Sequence, residues 1–295
     1  ARKRGETLLL SNGTSARLDR ASAVHSEFLC AIEVDDRAEQ GTPLVRLACP
    51  IEPDWLLEQF PEHLVARDTL EWNRTAERAD QVSALLYDSL VIDQSVQRPN
   101  NSEAVAELLV EKAMETGLHR FADKESLDRL LVRVRFTQRH SSAVQAGDDL
   151  LRRALGQVSA GLCGFSELKQ ACSNGGFEHV IEAMLPMDVI NDLAPTHIRL
   201  PSGRRARIEY SDTQPPWVAS RLQDFFGMRE TPRVARGVVP VVVHLLAPNQ
   251  RPVQMTQDLS SFWKTLYPQV RRELSRRYPR HKWPEDPLTV MQSPA

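Results

Sequence analysis

Residues 259–283 read LSSFWKTLYPQVRRELSRRYPRHKW, and this stretch decides how the last part of the chain folds. Its apolar side chains recur at steps of three and four residues, which places them on one face of a helix. They are Leu259, Phe262, Trp263, Leu266, Tyr267, Val270 and Leu274. Pro268 has no amide hydrogen to donate, so we expect either a kink at this residue or a second helix that starts with it. We expect the apolar face to pack into a core.

The opposite face of the same helices is basic. It carries Lys264, Arg271, Arg272 and Arg276, and Glu273 is the acid that lies nearest to them along the chain. Three interpretations stay open for such a face: a solvated surface, contact with phosphates, or docking to an acidic protein surface.

The segment WPEDP, residues 283–287, follows these helices. Its two prolines hold the backbone extended, and Trp283 has a large apolar ring to bury. We therefore expect this segment to close the module structurally, and a role in recognition is the alternative.

The charge of the C-terminal third differs in sign from that of the rest of the chain. The whole sequence has a formal net charge of -2. Between positions 199 and 282 there are 16 Lys and Arg against 6 Asp and Glu, a net of +10, which leaves -12 for the remaining residues. This asymmetry indicates either a partner with phosphates or a charge-matched contact with protein.

The first region, residues 1–100, is predicted to be an OB-like β-barrel. Asn12 and Gly13 stand between apolar flanks and tolerate positive φ, a strong hairpin signal. Side chains of a strand alternate between its two faces. In residues 28–34 (FLCAIEV) one face should therefore hold Phe28, Cys30, Ile32 and Val34. Pro53 fits the first position of a short helix, which we place between the third and fourth strands. Several short strands and one small helix suit a Greek-key barrel.

The second region, residues 101–195, is predicted to be helical, and the third, residues 196–295, to be an α+β module with antiparallel hairpins. Ser102 and Gly117 bracket a helical pattern as candidate caps. The hairpins are expected at the turns PSG, residues 201–203, and PN, residues 248–249. The predicted fold class of the whole chain is therefore α+β.

Sequence motifs of catalysis and cofactor binding are missing. The chain has no G-x-x-x-x-G-K-[ST] loop, no G-x-G-x-x-G turn, no G-x-S-x-G elbow and no H-E-x-x-H pair. The eight histidines are scattered, without a second His or Cys at metal-ligand spacing. No apolar run approaches the roughly 18 to 20 residues of a membrane span. The residues alone indicate a noncatalytic, cytoplasmic binding protein without metal or cofactor.

The four cysteines are dispersed and form no C-x-x-C pair; they are Cys30, Cys49, Cys163 and Cys172. We expect reduced and mostly buried thiols of a cytoplasmic protein rather than a zinc site or a disulfide framework.

Four stretches of the C-terminal part resemble one known family in the same order. They are LAPTHIRLPSGRRARIEY (193–210), VASRLQDFFGM (218–228), VVPVVVHLLAPNQRP (238–252) and RPVQMTQDLSSFWKTLYPQVRRELSRRYPRHKWPEDP (251–287). They are similar to the bacterial HrpB family of ATP-dependent helicases, relatives of the DEAH-box RNA helicases. Three N-terminal stretches resemble, more loosely, the segment after the ratchet-like helical domain, which is an OB-fold in DEAH-box relatives; they are LLLSNGTSARL (8–18), VRLACPIEPDWL (45–56) and DTLEWN (68–73).

The resemblance implies that ATP chemistry in such a helicase belongs to a motor that this sequence does not include. The motor comprises two RecA-like domains with the ATP loop and the DEAH-type metal site, and this sequence contains neither. ATP and magnesium are therefore expected only in the motor, and this chain alone is not expected to be an enzyme.

Two hypotheses follow from the resemblance and the basic charge. The first is a region that holds the backbone of single-stranded RNA beside the motor. Its candidate RNA-binding residues are Arg204, Arg205, Arg207, Lys264, Arg271, Arg272 and Arg276. The alternative is a protein-docking or regulatory module that contacts the helicase's own motor domains and has no RNA contact. Neither hypothesis involves a membrane.

Overall fold

The computed structural model of the protein describes residues 1–35, 42–147 and 149–289. The chain forms two compact units. The first comprises Ala1–Ala113 with Ser159–Glu167, and the second comprises Met114–Val158 with Leu168–Ala295. Helices and several sheets are both present, which confirms the α+β class.

The N-terminal strands of the first unit form a five-stranded sheet in the order β1-β2-β3-β5-β4. The strands are β1 (Arg2–Arg4), β2 (Thr7–Leu9), β3 (Ser15–Leu18), β4 (Leu29–Asp35) and β5 (Leu44–Pro50). All neighbours are antiparallel except β3 and β5. The predicted hairpin joins β2 to β3, and Gly13 has a φ of 84° that L side chains rarely adopt. A small core of Leu8, Ala16, Leu29 and Val45 lies beneath the sheet.

The predicted OB-like barrel is not confirmed. The sheet has edges at β1 and β4, and in the described residues a single isolated bridge between Arg2 and Phe28 joins them in place of a ladder. The first helix, α1 (Pro53–Gln59), starts at Pro53 as predicted, but it follows the fifth strand. The later strands form a separate antiparallel sheet, β6-β7-β8, and they are β6 (Leu64–Asn73), β7 (Arg78–Tyr87) and β8 (Leu90–Gln97).

The face predicted to hold Phe28, Cys30, Ile32 and Val34 is mostly not the buried face of β4. Phe28 is buried, but Cys30 is exposed and Ile32 is 59% exposed. Leu29, on the other face, is fully buried. Both faces of β4 carry apolar residues, so the alternating pattern did not distinguish the buried face from the exposed one.

The segment around Gly164 adds to the start of β7. Gly164 bridges Arg78, and the amide of Ala79 donates to the carbonyl of Cys163 at 2.8 Å. A Cβ on Gly164 would lie 2.8 Å from the Cβ of Arg78 and 3.0 Å from the carbonyl oxygen of Glu77. Only a residue without a side chain allows this close approach of two backbones.

Gly164→Ala should therefore destabilise the first unit by about 1 to 3 kcal/mol, since the backbones must separate. Urea unfolding followed by circular dichroism measures this loss. Gly156→Ala is the matched control, because nothing lies within 4 Å of its added Cβ. It lies inside a helix and should stabilise by about 0.5 to 1 kcal/mol. Equal effects of both variants would contradict the tight approach at Gly164.

The central part of the chain is helical, as predicted. Its helices are α2 (Glu103–Thr116), α3 (Lys124–His140), α4 (Leu150–Ser159), α5 (Phe165–Cys172), α6 (Gly176–Ala183) and α7 (Met187–Leu193). The hydroxyl of Ser102 accepts from the amide of Val105 at 3.3 Å, and Gly117 directly follows α2, so both predicted boundaries are confirmed. The carboxylate of Asp123 caps α3 through the amide of Ser126.

The C-terminal sheet has five strands in the order β15-β14-β11-β10-β9. The strands of this part of the chain are β9 (His197–Arg199), β10 (Arg205–Glu209), β11 (Trp217–Arg221), β12 (Arg233–Val234), β13 (Val239–Pro240), β14 (Val242–Leu246) and β15 (Pro252–Thr256). The predicted turns connect the antiparallel hairpins β9-β10 and β14-β15, whereas β11 and β14 are parallel. Strands β12 and β13 form a separate pair.

The two last helices pack on the inner face of this sheet. They are α8 (Leu259–Thr265) and α9 (Tyr267–Arg277), and Pro268 stands in the first turn of α9. Ala206 and Ile208 of β10 share one core with Phe262 and Tyr267 of these helices. In the described part of the chain, no helix has both the length and the apolar character that a membrane crossing requires.

The segment WPEDP lies against this core. The phenol of Tyr267 donates to the carbonyl of Pro284 at 2.8 Å, and the indole of Trp283 donates to the carbonyl of Tyr278 at 3.0 Å. The amide of Gly227 donates to the carbonyl of Pro287 at 2.9 Å. These contacts agree with a structural closing role for the segment.

Candidate nucleic-acid interface

The β9-β10 hairpin presents three arginines on its outer face. Ala206 and Ile208 point into the core, so the alternation of a strand turns Arg205 and Arg207 outward. The register places Arg199 directly opposite Arg205. Like charges directly opposite each other destabilise a sheet. In the described residues none of these three arginines has a hydrogen bond or an ion pair to an acid, and with Glu209 as the one acid at an outward position of β10 the hairpin face keeps a net positive charge.

The positive charge of this face affects the pKa of the neighbouring His197. His197 lies directly opposite Arg207 on the same face. Burial, followed by the positive charges of Arg205, Arg207 and Arg133, lowers the pKa of His197. His197 is therefore neutral at pH 7, and the positive charge of this face comes from the arginines.

A stacked pair of rings lies in the middle of the same sheet. Trp217 is directly opposite Glu209, the next outward position after Arg207 on β10. Its ring stacks on that of His244, with centroids 4.7 Å apart and planes 9° apart. Arg221 is exposed on the same side of β11 as Trp217, four residues further along. We call Arg199, Arg205, Arg207, Trp217, Arg221 and His244 the outer sheet face.

Acidification should destabilise the second unit through His244. Burial lowers the pKa of His244 below its ordinary value of 6.5, so the unfolded chain binds the proton more tightly than the folded protein. The stability that neutral His244 contributes to the folded protein is fully present above pH about 6.5. It is lost as the pH falls towards the lowered pKa of the folded state. Urea unfolding at several pH values measures it.

The variant His244→Phe keeps a ring and removes the titrating group, so it should show a weaker loss of stability at acid pH. His197→Gln is a necessary companion, because the pKa of His197 is also lowered and contributes with the same sign. The same pH dependence in wild type and His244→Phe would contradict the assignment.

The seven residues predicted from the sequence fall into two groups. Arg204, Arg205 and Arg207 lie on or beside the hairpin, and the others lie on α8 and α9; these are Lys264, Arg271, Arg272 and Arg276. Because β10 and the two helices bury residues in the same core, their exposed faces point to different sides of it. The structure therefore does not bring the seven together on a single surface.

Two of the seven have acidic partners. Arg204 lies 3.7 Å from the carboxylate of Asp224. Arg271 donates to the carbonyl of Trp283 at 2.9 Å and to the carboxylate of Glu285 at 3.1 Å. Its guanidinium thus holds the WPEDP segment in place.

The remaining residues of the helices stay available. Arg272 donates to the carbonyl of Pro268 in its own helix at 3.3 Å. Lys264 and Arg276 are exposed and form no ion pair with the described residues. Arg272 and Arg276 border a shallow depression together with Arg277. We call these three arginines the helix patch.

Sequence reasoning missed Arg199, Trp217, Arg221 and His244. A signal existed for Arg199, because the predicted hairpin around the turn at residues 201–203 places it opposite Arg205. No local signal connects Trp217 with His244, since their contact depends on the parallel pairing of β11 with β14. In the described residues, no group of three His, Cys, Asp or Glu side chains could hold a metal ion.

Comparison with known proteins identifies the family. The HrpB C-terminal family, described as "ATP-dependent helicase C-terminal", matches residues 155–287. The ATP-dependent RNA helicase HrpB of Escherichia coli (strain K12) is 30% identical over 301 residues, which cover 98% of this chain and 37% of that protein. The chain belongs to the HrpB helicase family. It spans about a third of the length of this relative, and the resemblance inferred from the motifs is confirmed.

Solved structures of HrpB have the same fold over nearly the whole chain. The E. coli DExH-box NTPase HrpB matches with a TM-score of 0.60 and 26% identity, over 98% of this chain and 37% of that one. A second structure, the Escherichia coli DEAH/RHA helicase HrpB, matches with a TM-score of 0.52 and 24% identity, over 96% of this chain and 36% of that one. The second likeness supports the fold alone.

Proposed function

We propose that this HrpB-family chain is the accessory C-terminal region of an ATP-dependent RNA helicase and that it binds single-stranded RNA beside the motor. The observation that carries the proposal is the outer sheet face, where three arginines without acidic partners adjoin the stacked Trp217–His244 pair. Backbone contacts hold a strand without regard to sequence, as a translocating motor requires.

The two kinds of side chain on this face complement a single strand. Guanidinium groups pair with phosphate oxygens in a bidentate manner. Aromatic rings stack on bases of any identity, and each stacked base contributes about 1 to 3 kcal/mol. Adjacent strands of a sheet are about 4.8 Å apart, so the arginines of β10 and the rings on β11 and β14 can contact the same few nucleotides. The helix patch offers a further site for phosphates on another side.

The chemistry of ATP belongs elsewhere in this proposal. ATP and magnesium bind to the motor domains of the longer family protein, and the present chain supplies no catalytic group. The proposal includes a cytoplasmic location, where RNA helicases meet their substrates.

The first unit fits an OB-like domain within the same proposal. An OB-fold is a five-stranded, partly open barrel. Its edges would meet here between β1 and the residues around the start of β4. The amide of Lys3 donates to the carbonyl of Glu27 at 2.6 Å. The amide of Leu29 donates to the carbonyl of Ala1 at 3.0 Å. These bonds flank the bridge between Arg2 and Phe28 and support a near closure.

Fluorescence anisotropy with a short single-stranded RNA across a salt series tests the proposed function. Counterion release gives a slope of log affinity against log salt of about -0.7 for each neutralised phosphate. Contact with three or more phosphates should therefore give a slope of about -2 or steeper. The absence of binding at low salt would overturn the proposal.

A docking role is the second candidate, and an apolar surface on the first unit favours it. Ile32, Leu47, Trp55 and Phe60 are between 45% and 59% exposed. Trp55 and Phe60 line a groove of about 820 Å³, which we call the apolar groove. Exposed apolar patches of this kind mark contacts with other proteins. In this role the arginines would be indifferent to RNA, so the same salt series separates the two candidates.

A further inference from the structure

Two of the four cysteines are cross-strand neighbours. The register of β4 and β5 places Cys30 directly opposite Cys49, between the pairs Leu29–Pro50 and Ala31–Ala48. Both thiols are free and exposed. The sequence predicted mostly buried thiols, and it separates these two by 18 intervening residues. Their proximity is a property of the fold.

The backbone geometry of this pair falls within the range of a disulfide. The amide of Ile51 donates to the carbonyl of Phe28 at 3.2 Å, which marks these two residues as a hydrogen-bonded pair. Two residues further along, Cys30 and Cys49 occupy the same kind of position, where the Cα atoms are about 5.5 Å apart. Disulfides join Cα atoms that are about 4.4 to 6.8 Å apart.

A small local adjustment completes the bond geometry. Directly opposite Cβ atoms are about 4.5 to 5.5 Å apart, whereas a disulfide needs about 3.5 to 4.5 Å. The register shifts immediately after Ala31, so β4 is irregular next to the pair. Such a bulge bends a strand and increases its twist. The required movement of about 1 Å thus falls at a point where the ladder is already interrupted.

The other two cysteines provide an internal contrast. Cys163 and Cys172 are buried. Burial raises the pKa of Cys172 to about 11. A buried thiol that stays protonated is inert towards small oxidants. Chemistry at the exposed pair can therefore be separated from chemistry at the buried thiols within one folded protein.

We infer that Cys30 and Cys49 form a reversible redox modification site that reacts with low-molecular-weight disulfides such as oxidised glutathione. One thiolate attacks a sulfur of oxidised glutathione, forms a mixed disulfide and releases the first glutathione. The second thiolate attacks the protein sulfur of that mixed disulfide, forms the Cys30–Cys49 bond and releases the second. The dithiol loses two electrons and two protons, and oxidised glutathione takes them up as two glutathione thiols.

The position of the cysteine pair means that its oxidation would alter the apolar groove. Cys30 lies in the wall of the apolar groove, with Trp55 and Phe60. A bond to Cys49 would fix β4 to β5 at this wall. Disulfides of cytoplasmic proteins are usually transient and redox-sensing. A pair that must adjust its geometry to close is also more easily reduced again.

The test treats the folded protein with oxidised glutathione, blocks remaining thiols with iodoacetamide and analyses peptides by mass spectrometry. We expect a linked peptide that joins Cys30 to Cys49, with the loss of two hydrogens and no retained glutathione. Dithiothreitol should restore both thiols. Cys163 and Cys172 should become alkylated only after unfolding.

Matched single variants separate pairing from simple exposure. Cys49→Ser should stop at a mixed disulfide between Cys30 and glutathione, and Cys30→Ser should stop at the same stage on Cys49. Wild-type protein that keeps glutathione on both residues, without a linked peptide, would overturn the inference. So would the absence of any modification, or a linked peptide that appears only in urea.

Discussion

Replacing Arg205 and Arg207 by Glu should weaken the binding of single-stranded RNA by at least about tenfold at about 0.1 M salt. Both side chains are exposed on β10, and the described residues provide them with no acidic partner. Two lost phosphate contacts should also flatten the salt slope by about 1.4. Anisotropy with a labelled RNA oligonucleotide, repeated at several salt concentrations, measures the affinity and the slope together.

Two further double variants change the net charge by the same amount. Arg152→Glu with Arg153→Glu alters exposed residues of α4, outside both candidate surfaces, and should change affinity less than about twofold. Arg272→Glu with Arg276→Glu tests the helix patch. If the α4 variant weakens binding as much as the β10 variant, only net charge matters and the outer sheet face is not the site. A loss confined to the α9 variant would move the site to the helix patch.

A variant that leaves the net charge unchanged tests the stacked rings separately from the arginines. Trp217→Ala removes a stacking platform and should lower affinity without changing the salt slope, because no phosphate contact is lost. This combination distinguishes base stacking from a general loss of positive charge. A change in slope as large as that of the β10 variant would mean that the substitution disturbs the arginines of the neighbouring strand.

Local signals in the sequence were enough for the helices and hairpins of the C-terminal part. The spacing predicted one buried face, and Phe262, Trp263 and Tyr267 are buried, whereas Leu266 of the same predicted face is 41% exposed between the two helices. Pro268 correctly separated α8 from α9, since a residue without an amide hydrogen fits only the first turn of a helix. Turn residues predicted both hairpins, because their geometry depends on a few neighbouring positions.

Properties that depend on distant pairing could not be predicted in the same way. The alternation in residues 28–34 did not say which face of β4 is buried, because Leu29 and Ala31 are apolar as well. The contact between Trp217 and His244 requires a parallel pairing of strands whose partner residues are 25 positions apart in the sequence. Arg271 was predicted on a basic face, yet its side chain turns to the segment at residues 283–285. Each of these outcomes is decided by tertiary contacts.

Tyr267→Ala should lower the free energy of unfolding of the second unit by about 3 to 5 kcal/mol. The side chain is fully buried in the core beneath the C-terminal sheet, and burial raises the pKa of its phenol to about 12. The phenol therefore stays protonated at neutral pH and donates to the carbonyl of Pro284. The substitution removes a ring from the core and also one of the hydrogen bonds that hold the WPEDP segment. Urea unfolding followed by circular dichroism measures the loss.

Tyr267→Phe separates the two contributions, because it keeps the ring and removes only the hydrogen bond. It should cost about 0.5 to 1.5 kcal/mol, the range of a typical hydrogen bond, because the carbonyl of Pro284 is half-buried. Tyr278→Ala, at a half-buried residue beyond the end of α9, is the control and should cost less than Tyr267→Ala. Truncation after Arg280 should lower the melting temperature, because Trp283 packs against the same core. If Tyr267→Phe and Tyr267→Ala cost the same, the ring contributes nothing to stability, and the hydrogen bond to Pro284 accounts for the whole loss.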